Sequence, residues 1–282
     1  MTKKFTPTII AIVFLQLFLT GCINDQYAIE KEFWRAQKLA KKILMNPHAS
    51  PPKEVENSVN VLNAFANKYP NNPLGLKAAF LIAQLYNAKE EYEKARMQLQ
   101  ALMNSHKESK EVSAQAIFLS GKTFEKENKW DLALQQYERI IQEYPLTISG
   151  FETPMYIASY YKTKHQPDKM LSWYQKAIAH YKAIAQEHPN TFLGLNADTL
   201  VARCYVELKD WLNVISAYDH ILNTYKGKVN LDFIQLEKAL IYKRELKDEA
   251  KAKEVLEQFV KDNPESKLVK IAQGLLQSTP KK

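Results

Sequence analysis

Glycine is scarce, with 7 residues in 282, and the 12 prolines gather at intervals. So few glycines leave little of the turn chemistry that many-stranded sheets use, and prolines between apolar-periodic stretches favour helices divided by proline-marked turns. The chain has only two cysteines, Cys22 and Cys204. No HExxH, no GxSxG, no glycine-rich phosphate loop and no paired cysteines occur, and His48, His106, His165, His180, His188 and His220 fall at no metal-ligand spacing. His180 and His188, eight apart, read as a surface pair rather than a metal site. Acidic side chains are spread over polar helix faces, so no catalytic residue and no enzyme activity has positive support. No apolar run reaches the ~20 residues that a bilayer-spanning helix needs. The formal charge is +8, but the two signs alternate along the chain, the pattern of solvated helix faces rather than of a basic patch.

What is present begins at the N-terminus. Lys3 and Lys4 precede an almost uninterrupted apolar stretch from Ile9 to Leu19, then the small pair Thr20 and Gly21, then Cys22. A basic segment, an apolar segment and small residues before a cut make up a secretory signal. Leu19-Thr20-Gly21-Cys22 also resembles the lipobox of bacterial lipoproteins. That resemblance implies cleavage after Gly21, a diacylglycerol on the Cys22 sulfur and an amide-linked acyl chain such as palmitate on the new amine. A thiol suits that step as the strongest nucleophile available, and two or more acyl chains make the attachment stable where one does not. The expected division is therefore a signal at 1–21 and a mature chain at 22–282. Removing 21 of 282 residues leaves 261, and losing Lys3 and Lys4 lowers the charge from +8 to +6.

Ile23 follows the cysteine where, in Gram-negative lipoproteins, an aspartate commonly signals inner-membrane retention. The resemblance thus implies the outer membrane, periplasmic face, or the outer face of the cytoplasmic membrane in a Gram-positive host. An exported chain seldom meets nucleic acid, so none is expected as partner. With Cys22 consumed by lipid, Cys204 has no partner for a disulfide. In "LVARCYVEL" it reads as a small packing residue.

The prolines introduce related phrases: "YPNNPLG" at Tyr69, "YPLTISG" at Tyr144, "HPNTFLG" at His188 and "NPES" at Asn263. A small residue followed three positions later by an aromatic also recurs, as Ala83 with Tyr86, Gly121 with Phe124, Ala158 with Tyr161, Ala202 with Tyr205 and Ala239 with Tyr242. About twelve residues on lies a second pair: Ala95 and Leu99, Ala133 and Tyr137, Met170 and Tyr174, Val214 and Tyr218, and, one residue late, Ala252 and Leu256. This pattern resembles the tetratricopeptide repeat. Two antiparallel helices cross closely only where a side chain is small, and larger neighbours fill the space to the next pair.

The resemblance implies an all-α fold, a right-handed α-solenoid of tetratricopeptide-like helical hairpins. Repeats are expected at about 74–108, 112–146, 151–190, 194–227 and 231–264, after a divergent helical pair at 26–70 and before a capping helix at 266–277. The small residues are 38, 37, 44 and 37 apart. The seven extra residues of the third interval, two helical turns, fall in "WYQKAIAHYKAIAQEHP", whose helix should be long and protrude. Trp130, Trp211 and Tyr92, each three residues before Ala133, Val214 and Ala95, read as wedges at the turn inside each unit.

In the tetratricopeptide family the first helix of each unit lines a concave groove. The inward positions, carried onto this chain, are Phe80, Gln84 and Asn87; Phe118, Lys122 and Glu125; Met155, Ser159 and Lys162; and Thr199, Arg203 and Val206. A mixed aromatic and basic lining suits a peptide with apolar side chains and some negative charge. Phe80 and Gln84 stand where the carboxylate clamp of chaperone-binding members needs other polar groups, so the clamp does not carry over.

Anchor, repeats and "YP" phrases together resemble the tetratricopeptide lipoproteins of outer-membrane β-barrel assembly, and less closely the repeat proteins that work with the Tol-Pal system. The implied function is a membrane-anchored scaffold binding envelope proteins or peptides, with no cofactor beyond the lipid on Cys22 and no metal. The alternatives are an envelope glycan- or peptidoglycan-handling protein using the groove, and a spacer without a ligand.

Overall fold

The computed structural model describes residues 7–277, with side chains from Gln26 onward. Cys22 and the segment before it therefore lie outside the described side chains. Among the described residues the chain is all-α, with thirteen helices and no strand. In order they are α1 (Pro7–Met45), α2 (Pro52–Lys68), α3 (Pro73–Ala88), α4 (Tyr92–Ser105), α5 (Lys110–Lys126), α6 (Trp130–Glu143), α7 (Ile148–Thr163), α8 (Pro167–Glu187), α9 (Phe192–Glu207), α10 (Trp211–Thr224), α11 (Asp232–Arg244), α12 (Glu249–Asp262) and α13 (Val269–Gln277). The chain divides after Ser149 into two compact units.

Local chemistry sets the helix ends. Proline opens α2, α3 and α8, where its missing N–H leaves no helical bond unmade. Asn72, Ser109, Thr191, Asp210 and Asp248 cap α3, α5, α9, α10 and α12 by accepting hydrogen bonds from backbone N–H groups one turn in.

The recurring aromatics mark where first helices stop. The carbonyls of Tyr86, Phe124, Tyr161 and Tyr205 accept from the backbone N–H of Glu91, Lys129, Gln166 and Asp210, five residues on, at 2.9–3.0 Å. Between them Glu90, Asn128, His165 and Lys209 take positive φ, from 55° to 63°. This is the Schellman ending, here made without glycine. In α11 the carbonyl of Tyr242 accepts from Asp248, six residues on, at 2.8 Å. That one extra turn residue is why Ala252 comes late.

In the first unit, Phe33, Ala36, Ala40 and Ile43 form a stripe along α1 that packs on Val55, Val59, Leu62 and Phe65 of α2 and on Ala78, Ile82 and Leu85 of α3. The opening pair is thus joined to the first repeat by apolar burial. A second cluster joins α3, α4 and α5 through Ala79, Phe80, Ala83, Leu99, Leu102, Val112 and Ala116. Arg96 of α4 lies 4.4 Å from the Phe124 ring centre, donates to Thr123 Oγ1 at 3.0 Å and pairs with Glu127.

In the second unit, α9, α10 and α11 share Ala202, Ile221 and Tyr225, while α11, α12 and α13 share Leu236, Ala239, Leu256, Phe259 and Ala272. Trp211, the first residue of α10, packs with Val214, Ile215 and Ile241, as a wedge should. Helix α8 runs 21 residues against 14 for α4, α6, α10 and α12. Its extra turns do not protrude, contrary to the expectation from length. Tyr181 is fully buried and donates its hydroxyl to the Phe151 carbonyl at 2.5 Å, and Ile184 is buried one turn on. The added residues carry apolar groups at helical spacing, so the longer helix stays packed.

Candidate functional site

The groove positions fare differently from one another. Phe80 is 5% exposed within the α3–α4–α5 cluster, so it belongs to the core rather than to a lining. Neighbouring α5 covers it, which spacing within α3 cannot reveal. Gln84 is exposed, and Asn87 is half-buried with its Oδ1 enclosed and unbonded. Phe118 is half-buried, its ring centre 5.3 Å from that of Tyr137. Lys122 and Glu125 form an ion pair at 3.0 Å, and Glu125 also accepts the Tyr137 hydroxyl at 2.6 Å.

In the second unit Met155 and Val206 are half-buried, and Ser159 and Arg203 are exposed. Lys162 reaches across to Glu207 of α9 at 2.9 Å, and Thr199 donates to the Leu195 carbonyl of its own helix at 2.8 Å. Lys122 and Lys162 are thus each neutralised by a glutamate, so the lining is less basic than the sequence implies.

A different feature, not anticipated from the sequence, lies in the second unit. A cleft of about 530 Å³ opens between the last turns of α8, the inner stripe of α9 and the outer face of α10. Lys182, Ala185 and Gln186 of α8, with Pro189 just beyond its end, form one wall, and these are residues of the lengthened stretch. Asp198, Val201 and Tyr205 of α9 lie opposite, with Ser216, Ala217 and His220 of α10. Without the extra turns of α8 this wall would be missing.

Asp198 is the one carboxylate in that lining, and its side chain is 11% exposed. Its Oδ2 accepts the Tyr225 hydroxyl at 3.0 Å and lies 3.4 Å from His220 Nε2. Burial, and then the Asp198 hydrogen bond, push the Tyr225 hydroxyl up to about 12, so Tyr225 remains a donor at neutral pH. Lys182 stands near the mouth, its Nζ 3.3 Å from the Tyr205 hydroxyl. The sequence did hold a signal for this site. Asp198 falls on the stripe of Gly194, Ala197, Val201 and Ala202 that α9 buries, and a carboxylate there calls for a local reason.

Ser216, His220 and Asp198 line one cleft, and no hydrogen bond joins Ser216 to His220. Among the described residues no group of three or more His, Cys, Asp or Glu is placed to hold a metal ion. Burial lowers the His180 pKa, and His180 Nε2 is enclosed without a partner, so His180 is not the surface group its spacing from His188 suggested. Cys204 is fully buried and its thiol is pushed up to about 12 by that burial, which suits a packing residue.

With the hairpins in view, residues 115–147 and 235–266 match the profile of the tetratricopeptide repeat. Two of the chain's hairpins are thus similar to that repeat. The first matched stretch spans most of α5 and α6, and the second most of α11 and α12. No curated protein matches the sequence. Among solved structures, BtubC (BKLC) of P. vanneervenii is similar at 13% identity, over 81% of this chain and 94% of that one, with a TM-score of 0.42. The C-terminal part of a tetratricopeptide protein from Cytophaga hutchinsonii is 16% identical over 80% and 78%, with a TM-score of 0.42. The TPR2AB domain of yeast Sti1, solved in a complex with pHSP90, is 14% identical over 89% and 98%, with a TM-score of 0.34.

Proposed function

We propose that this protein is a lipid-anchored scaffold of the cell envelope that binds other envelope proteins, tethered to the outer membrane through acyl chains on Cys22 and facing the periplasm. The observation that carries the binding role is the succession of helical hairpins, two of which match a repeat used for protein–protein interaction. Such hairpins offer exposed side chains on rigid helices, as at Gln84, Ser159 and Arg203 here. The anchor rests on Leu19-Thr20-Gly21-Cys22 behind its apolar segment. Outer-membrane assembly is the setting that this combination resembles most.

Affinity capture of the full chain from solubilised envelopes tests the binding role. Discrete protein partners are expected, and recovery of cell-wall glycan alone would overturn the reading. The anchor has its own test in thiol counting and radiolabelled palmitate. The native chain should show no fast-reacting thiol, and the denatured chain one, Cys204, with label on the protein. Two thiols after denaturation, or no label, would contradict acylation at Cys22.

A further inference from the structure

We propose that the outward face of α1 lies on the anionic surface of the bilayer that holds Cys22, with Lys31, Lys38 and Lys41 on lipid phosphates and Tyr27 and Trp34 at headgroup level. This deepens the membrane-anchored reading above and rests on it.

Ile29, Phe33, Ala36, Ala40 and Ile43 turn one side of α1 toward α2 and α3. At 3.6 residues per turn the opposite side carries Tyr27, Lys31, Trp34, Lys38, Lys41 and Met45, spaced four and three in alternation. All six are exposed, Tyr27 at 65%, Trp34 at 58% and Met45 at 86%. The stripe runs about 27 Å at 1.5 Å per residue.

The alternation of sign along the sequence is undone here by the fold. Glu32 is drawn off this face by Lys68 at 2.9 Å and by the Tyr69 hydroxyl at 2.8 Å, and Lys42 is matched by Glu54 at 3.4 Å. Glu30, which accepts from Gln26 at 2.8 Å, is the remaining acid beside the stripe. Lys31, Arg35, Lys38 and Lys41 enter no ion pair among the described residues, and Lys38 Nζ lies 5.6 Å from the Trp34 ring centre. Four such cations against one acid leave an excess of positive charge. Each cation beside an anionic surface favours partitioning roughly fivefold. Trp and Tyr, apolar rings with one polar tip, favour the same interface, whereas a solvated face needs neither.

Position decides between a bilayer and an acidic protein. Tyr27 stands five residues after Cys22, at most about 18 Å even when fully extended. Acyl chains on Cys22 therefore keep the start of the stripe beside the headgroups, and an acidic protein would have to enter between them. Lysine stems let the ammonium groups reach phosphates while the helix stays at the surface.

The test uses the full chain purified from membranes and reconstituted in vesicles of phosphatidylcholine, or of equal parts phosphatidylcholine and phosphatidylglycerol. A fluorophore is attached at Met45→Cys, the end of the stripe far from the anchor, or at Met97→Cys, exposed on α4. Cys204 is buried, so the added thiol takes the label. Lipids with a quencher on the headgroup should quench the Met45→Cys probe in the mixed vesicles and spare the Met97→Cys probe. High salt should relieve that quenching by screening the charges. Lys31→Gln, Lys38→Gln and Lys41→Gln together should lower the ratio of surface-bound to lifted probe about a hundredfold, at constant helicity. Equal quenching in both vesicle types, equal quenching of both probes, or none in chains that float with the vesicles overturns the proposal and leaves the anchor standing. Should the triple variant lose an envelope protein in affinity capture yet keep its lipid quenching, the face binds protein and the proposal fails. Chains that do not float with phosphatidylcholine vesicles would overturn the anchor itself.

Discussion

Gly75→Ala should lower the stability of the first unit by about 2–3 kcal/mol, despite the better helix propensity of alanine. A Cβ built at Gly75 would lie 2.0 Å from the Tyr69 carbonyl oxygen and 2.9 Å from its carbon. These are backbone atoms, held in place because that oxygen accepts the Asn72 N–H at 3.1 Å, so relief requires moving α3 away from the end of α2. Gly194 repeats the arrangement in the second unit, where a Cβ would meet the His188 carbonyl oxygen at 2.3 Å. The glycines of "YPNNPLG" and "HPNTFLG" are thus explained by the first turn of one helix seating on the last carbonyl of the helix before. Gly274→Ala is the control, since nothing lies within 4 Å of its Cβ position, and it should be neutral or stabilising. Urea unfolding followed by far-UV circular dichroism reads all three. An unmoved midpoint for Gly75→Ala would mean that α3 does not sit on α2 in this way.

Tyr181→Ala should cost about 3–5 kcal/mol in the second unit, the range for removing a large buried ring. The side chain is fully enclosed, lies nearly parallel to the Phe151 ring with centres 6.3 Å apart, and hydrogen-bonds the Phe151 carbonyl. Burial holds its hydroxyl protonated far above neutral pH, so the bond persists across the physiological range. Tyr181→Phe keeps the ring and should cost only about 1 kcal/mol, the net worth of one hydrogen bond. Lys182→Ala, one residue on and exposed, should stay within about 0.5 kcal/mol of the parent. A loss below about 1 kcal/mol for Tyr181→Ala would mean that the extra turns of α8 hang free, and the cleft wall would go with them.

The hairpins were legible because their constraints are local. A close crossing needs a small residue, and at Gly121 an added Cβ would meet the Tyr137 ring at 2.5 Å. The aromatic three residues later supplies the carbonyl that ends the first helix, and the late Ala252 follows from one extra residue in the last such turn. What spacing could not give was the identity of neighbours from other hairpins. Phe80 occupies an inward position by count, yet α5 covers it. The longer α8 was visible as seven extra residues, but whether they would protrude depended on Phe151 of α7 being there to receive Tyr181. Asp198 looked like one more acid on a helix because its surroundings, Tyr225 and the α8 wall, are 27 residues later and some ten earlier in the chain. Cys22 was legible only through its resemblance to a lipobox, since it lies outside the described side chains.

The claim underlying this account is that exposed faces of these hairpins hold other proteins. A photoreactive benzoylphenylalanine placed singly at Gln84, Ser159 or Ser216 in the full chain, and activated in intact cells, tests it most directly. Discrete, protease-sensitive adducts from at least one position are the expected result. Folded, anchored chains that give no protein adduct from any of the three, or adducts removed by glycan hydrolases alone, would contradict it.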